Sequence, residues 1–75
     1  MTTLDQLQVG DEAIVMSLNG PEESIARQME MGLVEGTLIK VVRFAPLGDP
    51  IEIEMRGYDL TLRRDEAAGV TVEKP

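Results

Sequence analysis

The chain has 75 residues, with 14 Asp and Glu against 7 Lys and Arg, a formal net charge of −7, and neither Cys nor His. The missing residues exclude disulfides, thiolate nucleophiles, imidazole bases and the commonest soft metal ligands, and the acidic balance excludes nucleic acid and docking on anionic lipid, both of which depend on Lys and Arg. Residues 1–75 make one domain, which buries only ~60–65% of its unfolded surface and is too small to wall an ordinary catalytic cleft, so composition favours a binding module without cofactor over an enzyme.

In chain order, Thr3 can cap a single turn over Leu4-Asp5-Gln6-Leu7, which places Leu4 and Leu7 on one side. Gly10-Asp11 then turns into a first strand from Glu12 to Leu18. Ile14, Met16 and Leu18 face one way and Ala13, Val15 and Ser17 the other, both faces fairly apolar, as suits a strand curving through a small barrel. Asn19-Gly20-Pro21-Glu22-Glu23 reads as a helix start, with Pro at the first helical position and carboxylates near the positive end of the dipole. Helical spacing puts Ile25, Ala26 and Met29 on one face and turns Glu23, Arg27 and Glu30 elsewhere, so Met29 is expected in the core. Met31 lies roughly opposite Met29, where the corner that follows can fold over it. Gly32 is placed for the left-handed residue that ends a helix, Leu33 for folding back on the last turn as in a Schellman ending, and Gly36 for a second turn into a strand, Thr37 to Arg43.

Leu38, Ile39, Val41 and Val42 form the most β-rich run, ended by Phe44-Ala45-Pro46. The loop Ala45-Pro46-Leu47-Gly48-Asp49-Pro50 makes a hairpin connection, with Asp49 as a turn residue. Strict alternation then sends Ile51, Ile53 and Met55 inward and Glu52, Glu54 and Arg56 into water. Gly57-Tyr58-Asp59 turns into Leu60-Thr61-Leu62-Arg63, Asp65 caps a short helical turn over residues 65–68, Gly69 ends it, and Val70-Thr71-Val72 closes the sheet. The order of elements predicts a mostly-β chain: a small SH3-like barrel of about five strands with one inserted α-helix and short helical turns.

Residues able to do chemistry are few. Glu22, Glu23, Glu30 and Glu35 lack the convergent spacing of an oxygen-ligand site and read as a solvated acidic face, so no metal ligand is assigned. Ser17 and Ser24 have no base and Lys40 no activating neighbour, so no catalytic residue is assigned either. Arg56, Arg63 and Arg64 make a basic island expected to pair with Asp59, Asp65 or Glu66, each surface pair worth ~0–1 kcal/mol. The start Met1-Thr2-Thr3-Leu4-Asp5 has no signal-peptide character and no stretch is long enough to span a membrane, which predicts a soluble cytoplasmic protein. Strand edges only partly guarded by Lys40 or Arg43 leave weak self-association open.

The run Met31-Gly32-Leu33-Val34-Glu35-Gly36-Thr37, with a hydrophobic strand after it, resembles the M-G-L-x-x-G-T/S signature of the FeoA family, small accessory proteins of bacterial ferrous iron transport. Leu4 to Asp11 is similar to that family's opening L-x-x-L-x-x-G, Pro46 to Pro50 to its P-x-G-D-P loop, and Leu60 to Ala67 to its L-x-L-R-x-x-E-A segment. The resemblance spans nearly the whole chain, with its pieces in order. It implies an SH3-like fold and a non-enzymatic cytosolic protein that binds and modulates a FeoB-type transporter, a membrane protein with a cytosolic GTP-binding domain. Transition metal ion binding belongs to the resemblance at family level only. Exposed apolar residues flanked by charge place the expected partner-binding surface at Arg27, Glu30, Met31 and Val34, with Leu47 at the hairpin tip. A second reading is a regulatory module attached to a DtxR-type metal-dependent repressor. A proline-rich-peptide reader needs an aromatic groove, and Phe44 and Tyr58 are too few to pave one.

Overall fold

The computed structural model describes all residues 1–75. In chain order the elements are β1 (Thr2–Thr3), a 3₁₀ turn (Leu4–Gln6), β2 (Glu12–Leu18), α1 (Glu22–Glu30), β3 (Leu38–Phe44), β4 (Ile51–Met55), β5 (Tyr58–Leu62), α2 (Arg64–Ala67) and β6 (Val70–Glu73). Every strand pairing is antiparallel, in a single sheet of order β1-β6-β2-β3-β4-β5.

Alternation builds the core. Ile51, Ile53 and Met55 of β4 point inward as expected, beside Leu60 and Leu62 of β5 and Ile39 and Val41 of β3. With Ala13, Val15, Val70, Val72, Leu4, Leu7, Leu33 and Ala67 they form one buried cluster, so the sheet curls around a single centre in a small SH3-like fold. The ladder does not close into the expected barrel: β1 and β5 are hydrogen-bonded to a neighbouring strand on one side only. The sixth strand, β1, is a two-residue pairing of Thr2 with Val72 and Thr3 with Thr71, too short to leave a periodic signal. Lys40 and Arg43 guard no edge, because β3 lies inside the sheet between β2 and β4.

The corner after α1 is the most constrained piece of backbone. Gly32 sits at φ +97°. Its N–H donates to the Met29 carbonyl at 3.0 Å and the Leu33 N–H to the Gln28 carbonyl at 2.9 Å, the two bonds of a Schellman ending, and Leu33 is fully buried. Gly36, at φ +90°, donates to the Val15 carbonyl at 2.8 Å, while Val15 donates back to the Thr37 carbonyl at 2.9 Å. The buried Thr37 hydroxyl accepts from the Val34 N–H at 3.3 Å and donates to the Gly32 carbonyl at 3.4 Å. From the far side the Tyr58 hydroxyl donates to the Met31 carbonyl at 2.7 Å.

Several local expectations shift. Pro21 stands at the N-cap, with extended backbone, and α1 begins one residue later at Glu22. Met29 is 48% exposed, and the buried residue of α1 is Gln28. The helix is turned by its polar ties: Gln28 Nε2 donates to Ser24 Oγ at 3.0 Å, and that four-residue line faces α2 in place of the Ile25–Met29 line. The corner leaves Met31 exposed, because Gly32 folds the chain toward Tyr58 and away from the Met31 side chain. Thr3 makes no cap bond, its hydroxyl going to the Asp5 carboxylate. Asp65 is not the cap of α2: Arg63 holds that position, and Glu66 Oε1 accepts its N–H at 3.0 Å. Gly69 is required by close approach rather than by a left-handed turn, since a Cβ there would lie 2.1 Å from the Asn19 carbonyl oxygen.

The two corner glycines separate two costs. A Cβ on Gly36 meets nothing within 4 Å, so Gly36→Ala carries backbone strain alone, about 1 kcal/mol. A Cβ on Gly32 would lie 2.2 Å from the Tyr58 hydroxyl and 3.6 Å from the ring carbon that bears it. Gly32→Ala is therefore expected to cost about 2–3 kcal/mol, from strain plus the displaced hydroxyl. In a Tyr58→Phe background that excess disappears and the cost falls toward the Gly36→Ala value, as urea unfolding of the double-mutant cycle will read.

Candidate partner-binding surface

Glu66 joins the two helices. Its carboxylate pairs with Arg27 of α1 and accepts from Ser24 Oγ at 3.0 Å and, through its other oxygen, from the Arg63 N–H. The Glu66 side chain is only 12% exposed. Burial pushes its pKa up, but the hydrogen bonds from Arg27, the Arg63 amide and Ser24 outweigh that, so the carboxyl is held below the ordinary glutamate range. Arg27, expected as a free docking charge, is thus the clasp of α1, with Nη1 4.0 Å from Met31 Sδ.

The other proposed contacts separate into two places. Glu30, Met31 and Val34 are exposed around the C-terminal end of α1, where Met29, Leu38 and Tyr58 add exposed apolar surface. The Tyr58–Met31 bond fixes this end beside the tight turn between β4 and β5. Leu47, 96% exposed, lies in the loop at the opposite end of β4, about 15 Å away at ~3.3 Å per residue of strand. Its loop is anchored: Asp49 Oδ1 accepts the Arg64 N–H at 2.9 Å, and Arg64 Nη1 donates to the Gly48 carbonyl at 2.9 Å. The structure therefore groups Arg27, Glu30, Met31 and Val34, and does not bring Leu47 to them.

The basic island also resolves differently. Arg64 lies over the Phe44 ring, 5.7 Å from its centroid, instead of pairing with an acid. Arg56 and Arg63 make no ion pair, and the pairs present are Arg27–Glu66 and Arg43–Glu52. On the outer face of β4 and β5, the Arg43 hydrogen bond holds the Glu52 carboxyl below its ordinary range, while hydrogen bonding to the Glu52 carboxyl, diagonal to it across the strands, pushes Asp59 up. An open polar groove of about 1000 Å³ runs between α1, β5 and α2, past Ser24, Arg27, Thr61, Arg63, Asp65 and Glu66. No three Asp or Glu side chains converge as a metal site would require. The arrangement can bind, through apolar surface, polar groove or strand edge.

Sequence reasoning missed Glu66, Ser24 and Tyr58 as the residues that hold this surface. Glu66 three residues after Arg63 has the spacing of a capping acid, and Ser24 four before Gln28 the spacing of a helical pair, so two signals were present. Nothing local announces that Tyr58 reaches Met31, 27 residues away.

Because native Glu66 is held ionised below the ordinary range, its contribution is complete above the unfolded-state pKa and is lost as the pH falls through the native one. Glu66→Gln should cost about 1–2 kcal/mol at pH 7, given that Arg27 is half exposed. In urea melts at stepped pH, the gap from the parent chain should close as the pH drops below the ordinary glutamate range.

Comparison with known proteins fits this geometry. The FeoA domain family matches residues 2–74. A fusion of Fe(2+) transport protein A with the Fe(2+) transporter FeoB from Porphyromonas gingivalis is 40% identical over 70 residues, which is 93% of this chain but 8% of that protein. The solution structure of FeoA from Chlorobium tepidum superposes with a TM-score of 0.93 at 48% identity, covering 97% of this chain and 70% of that one. A zinc complex of FeoA from Stenotrophomonas maltophilia, described as a prokaryotic SH3 domain protein, gives 0.83 at 27% identity, covering 97% and 91%. The curled sheet superposes on these FeoA structures over nearly its whole length, and this chain belongs to the FeoA domain family.

Proposed function

We propose that the chain is a non-enzymatic cytoplasmic accessory module of bacterial ferrous iron uptake that binds a FeoB-type transporter and biases its working cycle. The observation that carries this reading is the relative in which a FeoA-like segment and FeoB are one polypeptide, since covalent fusion keeps two domains at high effective concentration. Its surface is the end of α1 with the corner, where Met31 and Val34 stand exposed beside Glu30 on a backbone that Gly32, Thr37 and Tyr58 make rigid. Methionines adapt to a partner, and a preformed corner loses little entropy when it docks. Arg27 supports the surface by holding α1 to α2. Modulation follows if docking differs between the transporter's states, because a ligand shifts an equilibrium only by its differential affinity. In this reading iron is the transporter's cargo.

The ¹⁵N-labelled chain should be titrated with the soluble cytosolic domain of the cognate transporter, loaded with GDP and then with a non-hydrolysable GTP analogue. Shifts should centre on Glu30, Met31 and Val34 and be stronger in one nucleotide state. The paired change Met31→Glu and Val34→Glu is expected to weaken binding by at least about tenfold, and Leu47→Ala by less than about twofold. Unchanged affinity in the paired variant would move the interface away from the corner, and a large loss in Leu47→Ala would move it to the hairpin tip.

A further inference from the structure

The turn between β4 and β5 is the two-residue loop Arg56-Gly57, both with positive φ, +42° and +88°. Such a turn makes its flanking residues, Met55 and Tyr58, a hydrogen-bonded pair. Every second residue then faces β4: Tyr58, Leu60 and Leu62 direct their N–H and C=O groups into the ladder, and Asp59 and Thr61 direct theirs outward. No backbone or side-chain hydrogen bond reaches the main chain of Asp59 or Thr61 from beyond that ladder. The edge stops at Arg63, whose N–H goes to Glu66 and whose carbonyl accepts from Ala67 at 2.9 Å. At Thr61 the edge opens into the polar groove that α1 and α2 wall, which leaves space beside the strand.

We infer that the open edge of β5 is a docking site for an extended, Lys- or Arg-bearing segment of a partner protein, added as a further strand beside Asp59 and Thr61. Charge chooses this occupant. Across the outer face the register lines up Lys40, Glu54 and Asp59 in one row and Arg43, Glu52 and Thr61 in the next. From Glu12 of β2, which faces Lys40, the first row runs carboxylate, cation, carboxylate, then a second carboxylate at Asp59, and ends at open solvent. Glu52 has Arg43, whereas Asp59 takes part in no ion pair and faces further negative charge from Glu52 and Glu54. The next cross-strand position lies ~5 Å from Asp59, close enough for a cation to complete the row. A second copy of this chain is a poor occupant, because two chains of net charge −7 repel and β5 itself holds no cation to set beside Asp59. Strand addition draws its affinity from main-chain bonds and its selectivity from alternate side chains, here Lys or Arg on the Asp59 face and apolar residues on the Leu60 face. This site adjoins the corner through Tyr58 but does not depend on the transporter being the partner.

The test uses the intact chain and three synthetic probes: the capped pentapeptide Val-Lys-Val-Lys-Val, its counterpart with Glu for Lys, and one with both lysine backbone nitrogens N-methylated. Amide exchange and ¹⁵N shifts are followed by NMR at low salt. The Lys peptide should shift residues 58–62 and slow exchange at Asp59 and Thr61 by at least about tenfold at saturation, while the Glu and N-methylated peptides do neither. Thr61→Pro removes an outward N–H without touching the β4 ladder, and Asp59→Lys reverses the charge at an exposed position; each should weaken binding by at least about tenfold. Three results would overturn the inference: no protection of Asp59 and Thr61 at millimolar Lys peptide, equal binding of the Glu peptide, or Lys-peptide shifts centred on Met31 and Val34. Concentration-dependent dimerisation that protects the same amides would assign the edge to a second copy and overturn it too.

Discussion

The fold depends on one left-handed residue. Gly32 lets α1 end within a single residue, and the chain it releases is tied in three directions: to the helix through the Schellman bonds, to β2 through Val15, and to the β4–β5 hairpin through Tyr58. Leu33 could not enter the core and Thr37 could not start β3 in register if the helix ran on by half a turn. The Tyr58 hydroxyl occupies the space that a Cβ would take, so the residue is fixed twice, by backbone conformation and by packing. A domain of this size has little stability in reserve, and a corner that joins a helix, a strand and a hairpin concentrates what it has.

The same economy shapes α1. A helix that buries Gln28 and leaves Met29 exposed is not held by an apolar stripe; it is held at its ends and by Glu66. Ser24, Gln28 and Arg27 share that task, and each polar group in the line has a partner, which keeps burial of a glutamine and a glutamate from being costly. Polar attachment frees the apolar residues of α1 for other use. Met29 would be spent on the core in an ordinary amphipathic helix, and here it remains at the surface.

What could be read from the residues follows from how local the cause was. The β4 alternation, the Gly32 ending and the turn at 45–50 are set by neighbours a few positions apart, and each appears where its pattern puts it. Membership in the FeoA family was legible through the same corner and the segments around it. The rotation of α1 was not, because it is decided by Glu66, 42 residues from Ser24, and helical periodicity counts only apolar positions. The two-residue β1 was invisible for its length, and the assignment of Lys40 to an edge failed because strand order is a long-range property. Of the residues proposed to meet a partner, those on the helix end fall together and Leu47 does not, since a hairpin's two ends are near in sequence only through its turn.

The balance of charge that a partner meets is sharper than the count suggests. Arg27 and Arg43 are committed to Glu66 and Glu52, and Arg64 lies against Phe44 with its donors on the Gly48 and Asp5 carbonyls. The cations most responsible for folding are therefore the least available outside. Glu22, Glu23, Glu30, Glu35, Glu54 and Asp59, by contrast, are exposed and outside any ion pair. An acidic shell of this kind attracts basic surfaces over roughly one Debye length, ~8–10 Å at ordinary ionic strength, and repels its own copies. Long-range repulsion therefore opposes self-association at the apolar corner and the unpaired strand edge and favours a partner of opposite charge at both.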